Sequence, residues 1–166
     1  MHLKIGEFNI QFALRRKDVL IVLLWTTAMS LIMIKAHILL YQTPMFRNYR
    51  PGFIKYQPPS PEALDVLILT VMSIIVTILL SDVNPIVYGF AASLCLSFII
   101  AVTYASLFIW YVLDWQTFLS QDPFGWEVAI YTGFLNMFFV MVPWVIGSNT
   151  VGLVVGIIAR TWLKTS

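Results

Sequence analysis

Residues 86–113 read IVYGFAASLCLSFIIAVTYASLFIWYVL, 28 positions without one charged side chain. A soluble fold cannot place such a run in water, and about 20 apolar residues already suffice for a helix to cross the ~30 Å hydrocarbon core of a bilayer. The run therefore predicts a tilted membrane-spanning helix, with Trp110, Tyr111 and Trp115 marking its exit at an interface. Over all 166 residues only 11% are charged and the mean hydropathy is +0.86. The sequence predicts an all-α integral membrane protein whose solvent is lipid.

Upstream of this run, Ser81-Asp82-Val83-Asn84-Pro85 reads as a tight turn, because Asn-Pro ends one element and opens the next. A second span is expected at residues 63–80, started by Ser60-Pro61-Glu62. This triplet offers a capping hydroxyl, a proline for the first turn and an acid at the positive end of the helix dipole. Residues 42–61 hold Pro44, Pro51, Pro58, Pro59 and Pro61, which forbid a regular helix. Among them stand Arg47, Arg50 and Lys55 with Tyr49, Phe53 and Tyr56, so this segment is expected at the membrane interface. A further span covers residues 19–41. Before it, residues 1–17 form an expected interfacial arm, in which Phe8, Ile10, Phe12 and Leu14 alternate with Asn9, Gln11 and Ala13. That period of two suggests a short strand or extended segment.

Downstream, residues 114–125 form a short acidic loop. The last apolar region, 126–162, would be about 55 Å long as one straight helix, well beyond a bilayer core. Pro143 and Gly147-Ser148-Asn149-Thr150 are the expected kink and break, leaving a span at 126–146 and a short helix at 151–163. The expected fold is thus a four-transmembrane-helix bundle with a broken or kinked C-terminal segment, residues 18–166 forming one membrane domain. Lys4, Arg15, Arg16, Lys17, Arg160 and Lys164 fall on the side of the termini, against Arg47, Arg50 and Lys55 on the other. Lys and Arg counts therefore favour both termini on the cytoplasmic (or matrix) side of a multi-pass protein.

Composition excludes several classes of function. Cys95 is the single cysteine, so no intramolecular disulfide and no cysteine-based metal site exists. A net charge of +2 with no block of like charges gives no footprint for nucleic acid. The first seventeen residues carry no continuous apolar core, and the following run is too long for a signal peptide. There is no HExxH, CxxC, paired-aspartate or glycine-rich phosphate motif. No catalytic, cofactor-binding or metal-binding set is assigned.

The polar residues inside the spans are the candidates that remain. Lys35 lies near the outer end of the first span, where its stem lets the ammonium reach the headgroups. Asp65 lies one turn into the second span at the same face, so a Lys35–Asp65 intramembrane ion pair is expected. His37 projects about 200° from Lys35 and reads as a hydrogen-bonded packing residue. A haem held by two histidines of this chain is excluded, since the only other one is His2 in the arm. Gly89, Ala92, Ser93 and Ser97 give the third span a face for close helix approach, and Gly152 and Gly156 form a GxxxG. Asn136 offers one interhelical hydrogen bond.

The Asn84-Pro85 turn between two spans and Tyr131-Thr132-Gly133 in a later apolar helix loosely resemble the subunit-6-type membrane subunits of respiratory complex I. A comparable Asn-Pro turn and Tyr-x-Gly helix occur there. The present chain departs from that pattern by an extra acidic loop between the two features and an additional preceding span, and it is not assigned to the family.

Two functional expectations follow. One is a non-catalytic subunit of a larger membrane complex, bioenergetic or transporting, that packs against other integral membrane subunits and lipids. The other is a small oligomeric transporter or channel using Lys35, Asp65 and the break at 147–150.

Overall fold

The computed structural model describes residues 4–5, 8–9, 16–42, 58–80, 82–114, 116 and 125–165. Five helices dominate it. α1 spans Arg16–Gln42, α2 Ala63–Leu79, α3 Val83–Leu107, α4 Gly125–Val140 and α5 Gly147–Thr165. Two-residue strands at Lys4–Ile5 (β1) and Phe8–Asn9 (β2) pair antiparallel, Lys4 opposite Asn9 and Ile5 opposite Phe8. The remainder of the alternating arm, the proline-rich segment 43–57 and most of the acidic loop lie outside the described residues.

Local chemistry sets each helix boundary. Pro44 follows two residues after α1, and proline neither donates to nor continues a helix. The expected hydroxyl cap at Ser60 does not form. Glu62 occupies the N-cap with an extended backbone, and α2 begins at Ala63. α3 begins at Val83, so Asn84-Pro85 sits inside its first turn rather than ahead of it. Proline is tolerated there because first-turn N–H groups have no helical acceptor. At its other end α3 widens into a π-helical turn, Phe108–Val112, and stops where Asp114 takes a positive φ of 57°. Aspartate tolerates that left-handed backbone better than most side chains.

The expected break at residues 147–150 does not occur. α4 passes through a π-helical stretch, Met141–Ile146, directly into α5. Pro143 withholds one N–H from the ladder, and the turn widens around it. Ser148 and Asn149, expected to end the helix, instead turn back onto it. Ser148 Oγ donates to the carbonyl of Trp144 at 2.6 Å, and Asn149 Nδ2 donates to that of Val145 at 2.7 Å. Both are the i−4 back-bonding that such side chains make within helices.

The apolar helix from Gly125 to Leu163 therefore runs 39 residues, about 58 Å of rise at 1.5 Å per residue. Such a length fits the bundle because the helix changes neighbour half-way. α4 lies antiparallel against α3, where a Cβ on Gly133 would come within 2.6 Å of Ser106 Oγ. α5 lies parallel against α2, Gly152 facing Thr70 and Ser73 and Gly156 facing Thr77. α1 runs antiparallel to α2 and parallel to α3, and is the most buried of the long helices. Trp25, Met29, Met33, Leu69, Met137, Val140 and Val145 fill the centre without solvent exposure.

Three helical stretches, Arg16–Gln42, Val83–Val112 and Gly125–Leu163, are long and apolar enough to cross a membrane. α2 is a shorter apolar helix of 17 residues. Large aliphatic side chains point outward on the helices, among them Leu24, Leu31, Leu64, Ile99 and Val151. Monomeric soluble proteins do not expose apolar surface on this scale.

Candidate functional site

Three groups of polar side chains lie among the helices, and each takes its form from the surrounding packing. At the end where α1 finishes and α2 starts, Lys35 Nζ lies 2.7 Å from Glu62 Oε2 and 2.9 and 3.0 Å from the two oxygens of Asp65. The expected pair is thus a triad. Antiparallel packing of α1 and α2 brings Lys35 onto the first turn of α2, where acids also meet the positive end of the helix dipole. Asp65 is buried, and one of its oxygens accepts from the Glu62 backbone N–H at 3.2 Å. Lys35 and Glu62 remain partly exposed, so the triad opens at one side. The third member was legible in principle, since Glu62 stands three residues before Asp65 in a capping-box arrangement.

Two residues further along α1, on the opposite face, His37 is completely buried. Its ring lies edge-on to Tyr41 at 5.0 Å and to Phe108 at 5.5 Å between centroids. The expectation of a hydrogen-bonded histidine is not met. Among the described residues neither ring nitrogen has a partner. Asn136 on α4, also buried, makes the anticipated interhelical contact by donating to the Tyr41 hydroxyl at 3.3 Å. A planar cofactor from a neighbouring subunit would have to displace Tyr41 or Phe108 to reach this imidazole.

The third group occupies the centre. Trp25 Nε1 donates to Asn149 Oδ1 at 2.8 Å, and Ser73 Oγ donates to the Asn149 backbone carbonyl at 3.0 Å. All three residues are buried, and together they tie α1, α2 and α5 at one level. Nothing in the spacing of Trp25 and Asn149, 124 positions apart, announces that contact. Beside it, the α1–α3 seam carries the expected small residues. Thr26 Oγ1 donates to Ser93 Oγ at 3.2 Å, Ser93 Oγ donates to the Val22 carbonyl at 3.3 Å, and Ser97 packs on Met29. A Cβ on Gly89 would meet Val22 at 2.8 Å.

The packing candidates Gly89, Ser93, Ser97, Gly152 and Gly156 therefore all face helices of their own chain. Their use is internal closure, and the faces left for other molecules are those bearing large aliphatic and aromatic side chains. Lys35 and Asp65 meet as expected, while the 147–150 segment contributes an unbroken helix. No known protein family, curated protein or solved structure matches this chain. Among the described residues no three His, Cys, Asp or Glu side chains gather as a metal site.

Proposed function

We propose that the chain is an integral membrane protein crossing the bilayer four times, with both termini on the cytoplasmic (or matrix) side. In this reading it serves as a non-catalytic subunit of a larger membrane complex, bioenergetic or transporting, acting through helix packing and lipid contacts. The three long apolar helices support insertion, and the 17 residues of α2 meet the lower limit of about 17 for a span. Lys and Arg near the helix ends support the orientation.

The observation that carries the subunit reading is how the interior is occupied. Trp25, Met29, Met33 and Met137 fill it, and the polar groups of Trp25, Ser73, Thr26, Ser93 and Asn149 bind one another. A bundle so closed offers its function on the outside, where its surface is apolar. The transport alternative leaned on a helix break at 147–150, and the backbone there is continuous helix.

The test is a mild-detergent native pull-down from source membranes, read by native mass and visible absorbance. Stoichiometric co-purification with larger subunits is expected. A monodisperse chain alone, or a small homo-oligomer, sinks the subunit reading.

A further inference from the structure

The triad at the α1–α2 junction is not neutral. One ammonium meets two carboxylates, and among the described residues Lys35 is the only cation paired with either acid. Asp65 is saturated. Both its oxygens take Lys35, one also takes the Glu62 backbone N–H, and its side chain is only 5% exposed. The surplus charge therefore rests on Glu62, whose side chain is 57% exposed. The positive end of α2 offsets only part of it.

That charge lies within the apolar level of the bundle. His37 is two residues beyond Lys35 on α1, and its ring meets Phe108. Trp110 is two residues beyond Phe108, and its ring meets Trp126 at 5.3 Å between centroids. The tryptophan pair thus stands about 6 Å further out than Lys35, the rise of those two steps together. Tryptophans at helix ends mark the headgroup level, so the triad opens on the hydrocarbon side of it. An acid there needs a cation. A phospholipid is a poor source of one, because its phosphate lies nearer the triad than any headgroup amine. The exposed side of α1 suits a helix instead. Leu20, Leu24, Thr27 and Leu31 form one exposed stripe, stepping by three or four residues up to Lys35. Thr27 keeps its hydroxyl on the Leu23 carbonyl at 2.9 Å, which leaves an apolar ridge about 22 Å long.

We propose that this stripe and Glu62 form the docking surface for a transmembrane helix of a partner subunit, which sets an Arg or Lys against the Glu62 carboxylate. The proposal rests on the subunit reading above and names the face and the chemistry of that contact. Leu20, Leu24 and Leu31 pack on aliphatic side chains of the partner, and its cation brings the charge of the triad to zero. The outward side of α3 has no charged side chain between Ile86 and Leu113, so nothing there selects such a partner.

The test uses the complex isolated in mild detergent from source membranes. Leu24 and Leu31, and Ile99 on the outward side of α3, are each replaced by a photo-crosslinking amino acid. Adducts from Leu24 and Leu31 to one partner helix with an Arg or Lys at the Glu62 level are expected, and none to that helix from Ile99. E62Q should speed release of that partner about tenfold, as loss of one charge-assisted hydrogen bond implies, while the unfolding midpoint of the isolated chain stays unchanged. E62D should retain the partner. E62K should release it, and changing the partner's basic residue to Glu should restore retention. A wild-type chain that retains no partner overturns the subunit reading and this surface together. A retained partner that crosslinks through Ile99 alone, or E62Q behaving as wild type, overturns this surface only. So do adducts from Leu31 to lipid alone, and an equal loss of retention on neutralising Arg47, Arg50 and Lys55, which would make the cation the chain's own.

Discussion

Trp25 on α1 and Asn149 on α5 meet through a 2.8 Å hydrogen bond at the level where α5 packs on α2. The indole N–H has one donor to place and the buried amide oxygen accepts it, so each group removes the other's desolvation penalty. Trp25→Phe is expected to cost about 0.6–2 kcal/mol, the range for hydrogen bonds between membrane helices. Asn149→Leu should cost more, because it also strands the indole N–H and the Val145 carbonyl bond. In a double-mutant cycle followed by unfolding in detergent, the two losses should be strongly non-additive. Additive losses would mean that the bond contributes nothing.

The α5 glycines should separate by position. On Gly152 a Cβ would come within 2.5 Å of the Thr70 carbonyl and 2.6 Å of Ser73 Cβ, and on Gly156 within 2.7 Å of Thr77 Cβ. Those neighbours belong to the backbone and stem of α2 and cannot turn aside. Gly152→Ala and Gly156→Ala are each expected to destabilise by about 1–3 kcal/mol, the usual cost of overpacking. Gly147 has nothing within 4 Å of such a Cβ and sits in regular helix. Gly147→Ala should therefore raise stability, by roughly 0.5–1 kcal/mol. Equal effects at all three positions in thermal unfolding would contradict the seam.

Which parts of this arrangement were legible in the sequence follows from the range of each signal. Long aliphatic runs report helix and environment locally, so α1, α2 and α3 lie close to their expected positions. The Lys35–Asp65 pair was legible because antiparallel neighbours joined by one loop must align those two positions. The Gly152/Gly156 motif gave close packing without naming its partner, and the partner is α2 of the same chain. The break at 147–150 failed for a different reason. Gly, Ser, Asn and Thr count as helix breakers on average, yet Ser148 and Asn149 fold their polar groups back onto the carbonyls of 144 and 145. Tertiary packing of Asn149 against Trp25 holds them there, and no local rule contains that contact.

His37 makes a prediction of opposite sign. A buried imidazole whose two nitrogens have no partner among the described residues leaves at least one donor unsatisfied in either neutral tautomer. Its neighbours are aromatic faces and edges, which a phenyl ring would meet equally well. His37→Phe is expected to leave stability unchanged or to raise it by about 1 kcal/mol. A loss above that size in thermal unfolding would show that the imidazole has a polar partner.

The Lys35 triad can be dissected by charge. Lys35 holds one buried carboxylate and one exposed carboxylate together at the first turn of α2. Removing the cation leaves Asp65 buried beside a second acid, and a stranded charge costs more than a missing pair. Lys35→Met should therefore destabilise more than the charge-free combination Lys35→Met, Glu62→Gln, Asp65→Asn, in which no ion is left behind. Within the pairings, Lys35→Met with Asp65→Asn should recover most of the loss, and Lys35→Met with Glu62→Gln little, because Glu62 is open to solvent while Asp65 is not. Unfolding midpoints of the four variants in one detergent read this order directly. Equal recovery from Asp65→Asn and Glu62→Gln would place both carboxylates in the same solvent exposure and refute the burial on which the order rests.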